Sequence, residues 1–134
     1  TLGGPFLQAE IAAEWIRTGL LKKLCNWQIA EIRRRWALAC EALGDLMPRS
    51  VQPAPFVFIQ LPEPWRAGEF VNAAHLVLVT CIEADRFTLG RAAAPQAVRL
   101  SLSSPLTDEE YRVGLKRLTD LLSASYLPSR PVPY

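Results

Sequence analysis

The sequence predicts an α+β domain, in which helices pack on a small mixed or antiparallel sheet that is preceded by a long helix. Three observations predict this class. No proline interrupts the chain between Pro5 and Pro48, two later segments have strand composition, and a capped amphipathic helix follows the second of them. With 134 residues, of which 50% are hydrophobic and 21% are charged, one globular domain is expected.

The first third of the chain is predicted to be helical. One helix runs from about Pro5 to Thr18 and ends at Gly19, which can take the left-handed conformation of a helix end. A second, longer helix runs from about Leu20 to Leu43 or Leu46. Its predicted apolar face, spaced by threes and fours, consists of Leu21, Cys25, Ile29, Ile32, Trp36, Cys40, Leu43 and Met47.

The middle of the chain is predicted to alternate strands with a short helix. The segment from Phe56 to Leu61 is rich in aromatic and β-branched residues and is predicted to be a strand. The segment AGEFVNAAH is predicted to be a helix with Phe70, Ala73 and Ala74 facing inward. The run from Leu76 to Cys81 is apolar throughout, which predicts a strand covered on both faces.

The last third contains the clearest local signals. Val98, Leu100 and Leu102 alternate with Ala97, Arg99 and Ser101, which predicts a strand from Ala97 to Leu102. Thr107 and Glu110 form a capping box, and a helix follows whose buried face is Tyr111, Leu115, Leu118 and Leu122. The chain is thus divided into a helical segment at 1–47, an α+β small domain at 48–125 and a proline-rich tail at 126–134.

Composition excludes several classes of function. A net charge of +2 is too small to indicate nucleic-acid binding, and the longest apolar run is too short for a membrane helix. Cys25, Cys40 and Cys81 are odd in number and widely spaced, so we expect neither disulfides nor a metal site. No signal sequence is recognised, and a cytoplasmic location is expected.

Most candidate catalytic groups have ordinary structural explanations. We interpret His75 as a helix-end residue and not as the partner of a Cys81 nucleophile, because nothing in the sequence orients the pair. The lysines Lys22, Lys23 and Lys116 fall on amphipathic helices, where surface lysines are common. The consecutive Arg33, Arg34 and Arg35 spread around a helix, so we interpret them as a solvated face and not as a phosphate-binding edge. No catalytic residue is therefore assigned.

Arg99 is the one candidate binding residue. It lies in the middle of a strand, and its neighbours on the same face, Ala97 and Ser101, are small enough to leave room for a ligand. A guanidinium presents a planar set of donors that suits a carboxylate. The pattern alone leaves two interpretations open, a carboxylate site and an arginine that faces solvent.

The order of several segments resembles a known family. These segments are LPEPW, IEADRFTLG, PQAVRLSLSSP and the closing GLKRL, with LLKKL and EIRRRWALACEAL in the first half. Together they resemble the carboxy-terminal small domain of fold-type I, pyridoxal-phosphate-dependent aminotransferases. The similarity is strongest to the aminotransferase-like half of GntR-type transcription regulators of the MocR subfamily. It covers about residues 6–125, and the VRLS strand is its most specific part.

The resemblance implies a role for Arg99 and a longer parent protein. In the family, the arginine of this strand holds the α-carboxylate of an amino acid, which is an effector in a regulator and a substrate in an enzyme. The lysine, aspartate and phosphate-binding residues that hold pyridoxal phosphate belong to a large domain that this chain lacks. No cofactor is therefore expected on this chain alone, and it is expected not to transaminate by itself.

The resemblance also implies partners. The missing large domain, an amino acid and a second copy in a homodimer are expected, while contact with DNA is expected from another part of the parent. One alternative is the small domain of a free-standing class I/II aminotransferase. Another is a helical interaction module that uses Trp15, Trp27 and Trp36, although burial in a core or between domains is the expected role of these residues.

Overall fold

The computed structural model describes residues 5–48, 52–89, 95–105 and 107–124. Its helices are α1 (Phe6–Arg17), α2 (Leu20–Leu43), α3 (Ala67–Leu76) and α4 (Asp108–Ala124). Its strands are β1 (Phe56–Gln60), β2 (Ile82–Glu83) and β3 (Ala97–Ser101), and they form an antiparallel sheet in the order β1-β3-β2. Short 3-10 helices occupy Gly44–Leu46 and Ala84–Phe87. The predicted α+β class is confirmed.

The two N-terminal helices meet at Gly19, as predicted. Gly19 has a φ of 74°, and the backbone N–H and the hydroxyl of Thr18 both donate to the carbonyl oxygen of Glu14. The left-handed glycine therefore ends α1 and lets α2 begin at Leu20.

The predicted apolar face of α2 is only partly correct. The buried residues of this helix are Arg35, Trp36, Ala39 and Leu43, all in its C-terminal half. Leu21, Cys25, Ile29 and Cys40 are exposed, because only the second half of α2 contributes to the core, through a side that includes Arg35 and Ala39 and not Cys40. Sequence spacing predicts that a helix is amphipathic, but the packing partner decides where the buried side begins and ends.

The predicted strand from Leu76 to Cys81 is wrong. Helix α3 continues through Leu76, and the chain joins the sheet only at Ile82, so that β2 has two residues. Leu76 and Leu78 are not covered on either face; their side chains are 84% and 78% exposed. A short apolar run fits a helix end as well as a buried strand, and periodicity alone cannot separate the two.

A Schellman motif turns the chain away from the sheet after α3. The Val79 N–H donates to the Ala74 carbonyl oxygen at 2.9 Å, and the Leu78 N–H donates to the His75 carbonyl oxygen at 3.0 Å. This motif requires a left-handed residue, and Leu78 adopts a φ of 61°. Because glycine usually occupies this position, the sequence carried no signal for the end of the helix.

The hydrophobic core lies between the inner face of the sheet and the helices α2, α3 and α4. On β1, Val57 and Ile59 point inward while Phe56, Phe58 and Gln60 are exposed. The predicted inward side of β3 and the predicted face of α4 are confirmed by a buried set that comprises Val98, Leu100, Leu102, Tyr111, Leu115, Leu118 and Leu122. Burial does not alternate at the start of β3, because Ala97, predicted on the opposite face, is buried as well. Phe70 and Ala74 of α3 are fully buried, as predicted, and Ala73 is half-buried.

The capping box of α4 is also confirmed. The Glu110 N–H donates to the Thr107 hydroxyl oxygen and the Thr107 N–H donates to the Glu110 carboxylate, each at 3.2 Å. The predicted proline-rich tail at 126–134 lies outside the described residues. None of the helices within the described ranges is both long and apolar enough to cross a membrane.

Candidate functional site

Arg99 lies at the centre of the sheet. Strand β3 is flanked by the other two strands, and the backbone of Arg99 stands opposite Phe58 of β1 and Ile82 of β2. Since Val98 and Leu100 face the core, the side chain of Arg99 emerges on the opposite face, where it is half-buried. Pairing on both sides fixes the strand that carries the guanidinium.

Two phenylalanine rings lie against this guanidinium, and a third phenylalanine packs on both of them. The carbon at its centre lies 4.5 Å from the ring centroid of Phe87 and 5.4 Å from that of Phe56. Phe58 makes edge-to-face contacts with both rings, with centroids 5.5 Å from Phe87 and 6.5 Å from Phe56. Aromatic faces attract a guanidinium, so the rings hold Arg99 on this face without using its hydrogen-bonding capacity.

No carboxylate within the described ranges pairs with Arg99, and no hydrogen bond holds its side chain there. The ring contacts are made at the central carbon of the guanidinium, and its N–H groups lie in the guanidinium plane. Glu83 lines one depression together with Arg99, but no ion pair joins these two side chains. A planar set of donors with neighbouring rings and no paired carboxylate among the described residues is suited to a carboxylate ligand. The solvent-facing interpretation is weakened because the side chain is half-buried among these rings.

Two depressions lie beside Arg99. One, of about 510 Å³, is bounded by the segment from Leu78 to Thr80, by β3 and by α4. The other, of about 500 Å³, is lined by Val71, Cys81, Arg86 and Phe87 among others. Arg99 and Ile82 of β2 contribute to both, so a ligand could reach Arg99 from either depression.

The interpretation of Arg35 as part of a solvated face is wrong. Its side chain is buried, and one guanidinium nitrogen donates to the carbonyl oxygens of Leu102 at 3.0 Å and Pro105 at 2.8 Å. Its Nε donates to Glu31 at 2.9 Å, and the Tyr111 hydroxyl donates to the Arg35 carbonyl oxygen at 2.8 Å. Arg35 therefore fixes the loop that follows the Arg99 strand onto α2.

Arg34 makes a second connection between α2 and α4. Its guanidinium donates to both carboxylate oxygens of Asp108, at 2.5 and 2.8 Å, and to both oxygens of Glu31. Hydrogen bonds from Arg34 and Arg35 lower the pKa of Glu31 to about 2, and the bond from Arg34 lowers the pKa of Asp108. Arg33 is exposed, as the sequence predicted for all three arginines. Its side chain makes no hydrogen bond or ion pair with any of the described residues.

The candidates rejected at the sequence level do not converge on a site. His75 is exposed at the end of α3, while Cys81 is buried, and burial raises the pKa of its thiol to about 11. Such a thiol is not a nucleophile near neutral pH. Lys116 pairs with Asp120 on the surface of α4. Over the described ranges, no group of three or more potential ligands is positioned to hold a metal ion.

Sequence reasoning missed the three phenylalanines around Arg99. For two of them a signal was present, because the alternation of FVFIQ places Phe56 and Phe58 on the face opposite Val57 and Ile59. For Phe87 no signal existed, since this residue belongs to a 3-10 helix that packs beside β3. The cluster depends on strand register, which a single sequence does not give.

Comparisons with solved structures identify the fold. It superimposes on an archaeal alanine:glyoxylate aminotransferase with a TM-score of 0.67 at 24% identity, over 87% of this chain and 30% of the other. A multiple substrate aminotransferase from Thermococcus profundus gives 0.66 at 24% identity, over 85% of this chain and 29% of the other. A kynurenine aminotransferase from Pyrococcus horikoshii gives 0.65 at 19%, with the same coverage. The fold is that of an aminotransferase small domain.

A sequence comparison points to one kind of longer protein. Over 116 residues the chain is 29% identical to YdeF of Bacillus subtilis, an uncharacterized HTH-type transcriptional regulator. The aligned region makes up 87% of this chain and 25% of that regulator. No protein-family model matches the sequence. The chain therefore spans about a quarter of the length of this regulator and less than a third of the solved aminotransferases. The predicted resemblance to an aminotransferase small domain is confirmed.

Proposed function

We propose that this chain is the carboxy-terminal small domain of an aminotransferase-like protein, and that it senses an amino acid within a transcription regulator of the GntR/MocR type. The observation that carries the proposal concerns the guanidinium of Arg99 on the central strand. Aromatic rings from other elements lie against it, and it has no carboxylate partner among the described residues. The small-domain fold and the similarity to an HTH-type regulator support the longer parent.

In this proposal Arg99 binds the α-carboxylate of the amino acid. Two parallel N–H···O bonds fix the orientation of the ligand as well as its charge, and each hydrogen bond to a charged group contributes about 1.5–3 kcal/mol. The rings of Phe56 and Phe87 lie against the guanidinium and would cover part of this pair, which would strengthen the electrostatic attraction. Closing of the domain over the ligand would carry the signal to a DNA-binding region elsewhere in the parent.

Pyridoxal phosphate is proposed for the parent and not for this chain alone. No lysine lines either depression beside Arg99 within the described ranges, so nothing there fits a cofactor anchor. Bound elsewhere in the parent, the cofactor would supply a carbonyl group that reacts with the amino group of the ligand. The residues of this chain would bind the other end, the carboxylate.

The exposed apolar side of α1 and of the first half of α2 supports the proposed partners. Large hydrophobic side chains are solvent-exposed there, among them Phe6, Leu7, Ile16 and Trp27 at 65–77%. A concentration of exposed apolar side chains of this kind is typical of an interface. We propose that the missing large domain covers it in the parent and that homodimers form.

A cytoplasmic location is proposed because Cys25, Cys40 and Cys81 are all free thiols.

The proposal is tested on the longer parent protein. We expect it to bind pyridoxal phosphate, seen as a new absorption band, and to bind amino acids in calorimetric titrations. Arg99→Ala should weaken amino-acid affinity at least tenfold, which corresponds to about 1.4 kcal/mol. Arg99→Lys should recover only part of the affinity, because a point charge replaces the planar donors. Equal affinity of the wild type and Arg99→Ala would remove Arg99 from the site.

A free-standing aminotransferase is the second candidate, and the fold of the three solved enzymes favours it. The two proposals differ in what the bound amino acid does. In a regulator it changes the affinity of the parent for DNA, which an electrophoretic mobility assay measures. In an enzyme it passes its amino group to a 2-oxo acid, which product analysis detects. DNA affinity that responds to amino acids, without amino-group transfer, would favour the regulator.

A further inference from the structure

The depression of about 500 Å³ beside Arg99 is bordered by a second arginine, Arg86. Arg86 belongs to the 3-10 helix Ala84–Phe87 and immediately precedes Phe87. The ring centroid of Phe87 lies 4.5 Å from the central guanidinium carbon of Arg99. Two arginines from different elements therefore line one cavity, with the ring of Phe87 between their positions in the fold.

Neither arginine is neutralised by the part of the chain that the structure describes. Arg86 is exposed, and no hydrogen bond or ion pair joins its side chain to a described residue. Arg99 also has no carboxylate partner there. Two like charges at one cavity repel each other and raise the positive potential within it, and such a potential attracts an anion.

The carboxylate of Glu83 lines the same depression but lies against another element. A Cβ atom added at Gly68 would be 3.6 Å from Oε1 of Glu83, so this carboxylate sits beside the first turn of α3. The N-terminus of a helix favours a negative charge. No ion pair joins Glu83 to Arg86 or Arg99 among the described residues, which leaves both guanidiniums to a ligand.

The other depression, of about 510 Å³, offers no second cation. Among the described residues that line it, Arg99 has the only positively charged side chain, and Leu115 and Leu118 of α4 form part of its wall. A ligand with two anionic groups would therefore find a partner for each of them only in the depression that Arg86 borders.

We propose that the amino acid bound at Arg99 has an acidic side chain and that Arg86 binds its second carboxylate. This inference rests on the proposed function, in which Arg99 binds the α-carboxylate. Arg86 is then a specificity-determining residue, because an uncharged side chain of similar size would leave its guanidinium without a partner. The planar donors of a guanidinium suit a carboxylate at either end of such a ligand.

The size and geometry of the depression suit this ligand. Small-molecule pockets commonly measure about 300–1,000 Å³, and this depression lies within that range. Successive residues of a 3-10 helix are about 120° apart around its axis, so Arg86 extends in a different direction while Phe87 packs on Arg99. Because Arg86 is exposed, water screens its charge, and we expect a modest preference for the acidic ligand.

Calorimetric titration of the parent with matched amino acids tests the inference. Glutamate and glutamine are nearly equal in size and differ in side-chain charge, and so do aspartate and asparagine. We expect the parent to bind the acidic member of at least one pair about fivefold more tightly, which corresponds to about 1 kcal/mol. Equal affinities within both pairs would overturn the inference.

Variants of Arg86 assign the preference to this residue. Arg86→Gln should reduce the ratio of the two affinities to less than about twofold, Arg86→Lys should keep part of it, and Arg86→Glu should reverse the order. Arg33→Gln removes the same charge from an exposed position of α2 and should keep the ratio of the wild type. A preference that survives Arg86→Gln, or that Arg33→Gln reduces equally, would contradict the assignment.

Arg99→Ala separates this inference from the proposed function. It should weaken the binding of acidic and neutral amino acids alike, because both carry the α-carboxylate. Binding that depends on Arg99 but shows no preference for an acidic side chain would remove the role of Arg86 and leave the proposed function in place. Failure to bind any amino acid would contradict both.

Two further titrations test the chemical class of the ligand. Lysine would bind more tightly than glutamate if Glu83, and not Arg86, selected the side chain, and this result would overturn the inference. Phosphoserine carries a phosphate in place of the second carboxylate. Tighter binding of phosphoserine than of glutamate and aspartate would contradict the assignment of a carboxylate.

Discussion

At the residue scale, a side chain's role here follows from its packing more than from its type. Arg33, Arg34 and Arg35 are consecutive and chemically identical, yet one is exposed, one bridges Glu31 and Asp108, and one is buried against backbone carbonyls. A helix turns by about 100° per residue, so adjacent positions meet different surroundings. Arg99 acquires its environment in the same way, from rings that approach from other elements.

The three arginines provide a matched test of burial. Arg35→Met would leave the carbonyl oxygens of Leu102 and Pro105 without their donor, and we expect the free energy of unfolding to fall by about 2–3 kcal/mol. Arg33→Met should change it by less than about 0.5 kcal/mol, because Arg33 is exposed. Urea denaturation of both variants measures the difference. Similar losses would show that Arg35 has no special structural role.

The pKa of Glu31 makes stability depend on pH. Its folded pKa of about 2 lies below the ordinary value of 4.5, so the unfolded chain binds the proton more tightly. The stabilisation is complete above about pH 4.5 and is lost as the pH falls toward 2. We expect the urea midpoint to decline across this window, and Glu31→Gln to flatten the decline. Glu41→Gln, at an exposed position of α2, is the control and should leave it unchanged.

The rings around Arg99 should contribute modestly to ligand binding. Phe87→Leu removes the closest aromatic face, at 4.5 Å, and keeps an apolar side chain. Since a cation–π contact at an accessible site is worth about 0.5–1 kcal/mol, we expect amino-acid affinity of the parent to fall by a factor of about 2 to 5. Calorimetry measures the change. A loss as large as that of Arg99→Ala would indicate that Phe87 itself contacts the ligand.

At the element scale, the end of α3 decides the shape of the sheet. Because the Schellman motif holds Val79 against α3, β2 is reduced to two residues and the edge of β3 stays open at Ser101. A leucine in the left-handed region stores unfavourable energy at this turn. The same turn forms one wall of the cleft beside Arg99.

The strain at Leu78 can be measured. Leu78→Gly removes the steric penalty of a φ of 61°, and we expect the free energy of unfolding to rise by roughly 0.5–1 kcal/mol. Leu76→Gly is the control, since Leu76 is also exposed but is the last residue of α3 and has no left-handed φ to relieve, so that glycine there only costs helix stability, up to about 1 kcal/mol. Thermal unfolding of the two variants should therefore shift in opposite directions. Destabilisation by both would contradict this account of the turn.

At the scale of the whole molecule, the described part of the chain is a packed domain with one uncovered side. The core joins α3, α4, the sheet and the second half of α2, whereas α1 and the first half of α2 extend away from it. None of the residues of α1 is buried. We expect this helix pair to need a packing partner in water, because helical stability comes mainly from burial of an apolar face.

We expect the 134-residue chain to associate in solution through this side. Trp27→Glu, which places a charge on the exposed face, should shift sedimentation profiles toward the monomer. Leu76→Glu alters an equally exposed apolar residue on α3 and should leave association unchanged. A chain that remains monomeric at high concentration would contradict the expectation.

The sequence by itself determined the elements whose signals are local. The capping box at Thr107 and Glu110, the left-handed Gly19 and the alternation around Arg99 depend on neighbours within a few residues, and the structure agrees with each. The choice of Arg99 as the candidate binding residue followed from that alternation and from the family resemblance.

Only the tertiary structure decided the features that depend on distant residues. The burial of Arg35 requires carbonyl groups 67 and 70 positions away, and the ring cluster requires β1 and a 3-10 helix to meet β3. The run from Leu76 to Cys81 has strand composition but follows α3, because hydrogen bonds at the helix end compete with the sheet for the same backbone. Whether this segment follows the helix or joins the sheet depends on the relative free energies of the two packed arrangements. The local sequence pattern does not contain this information.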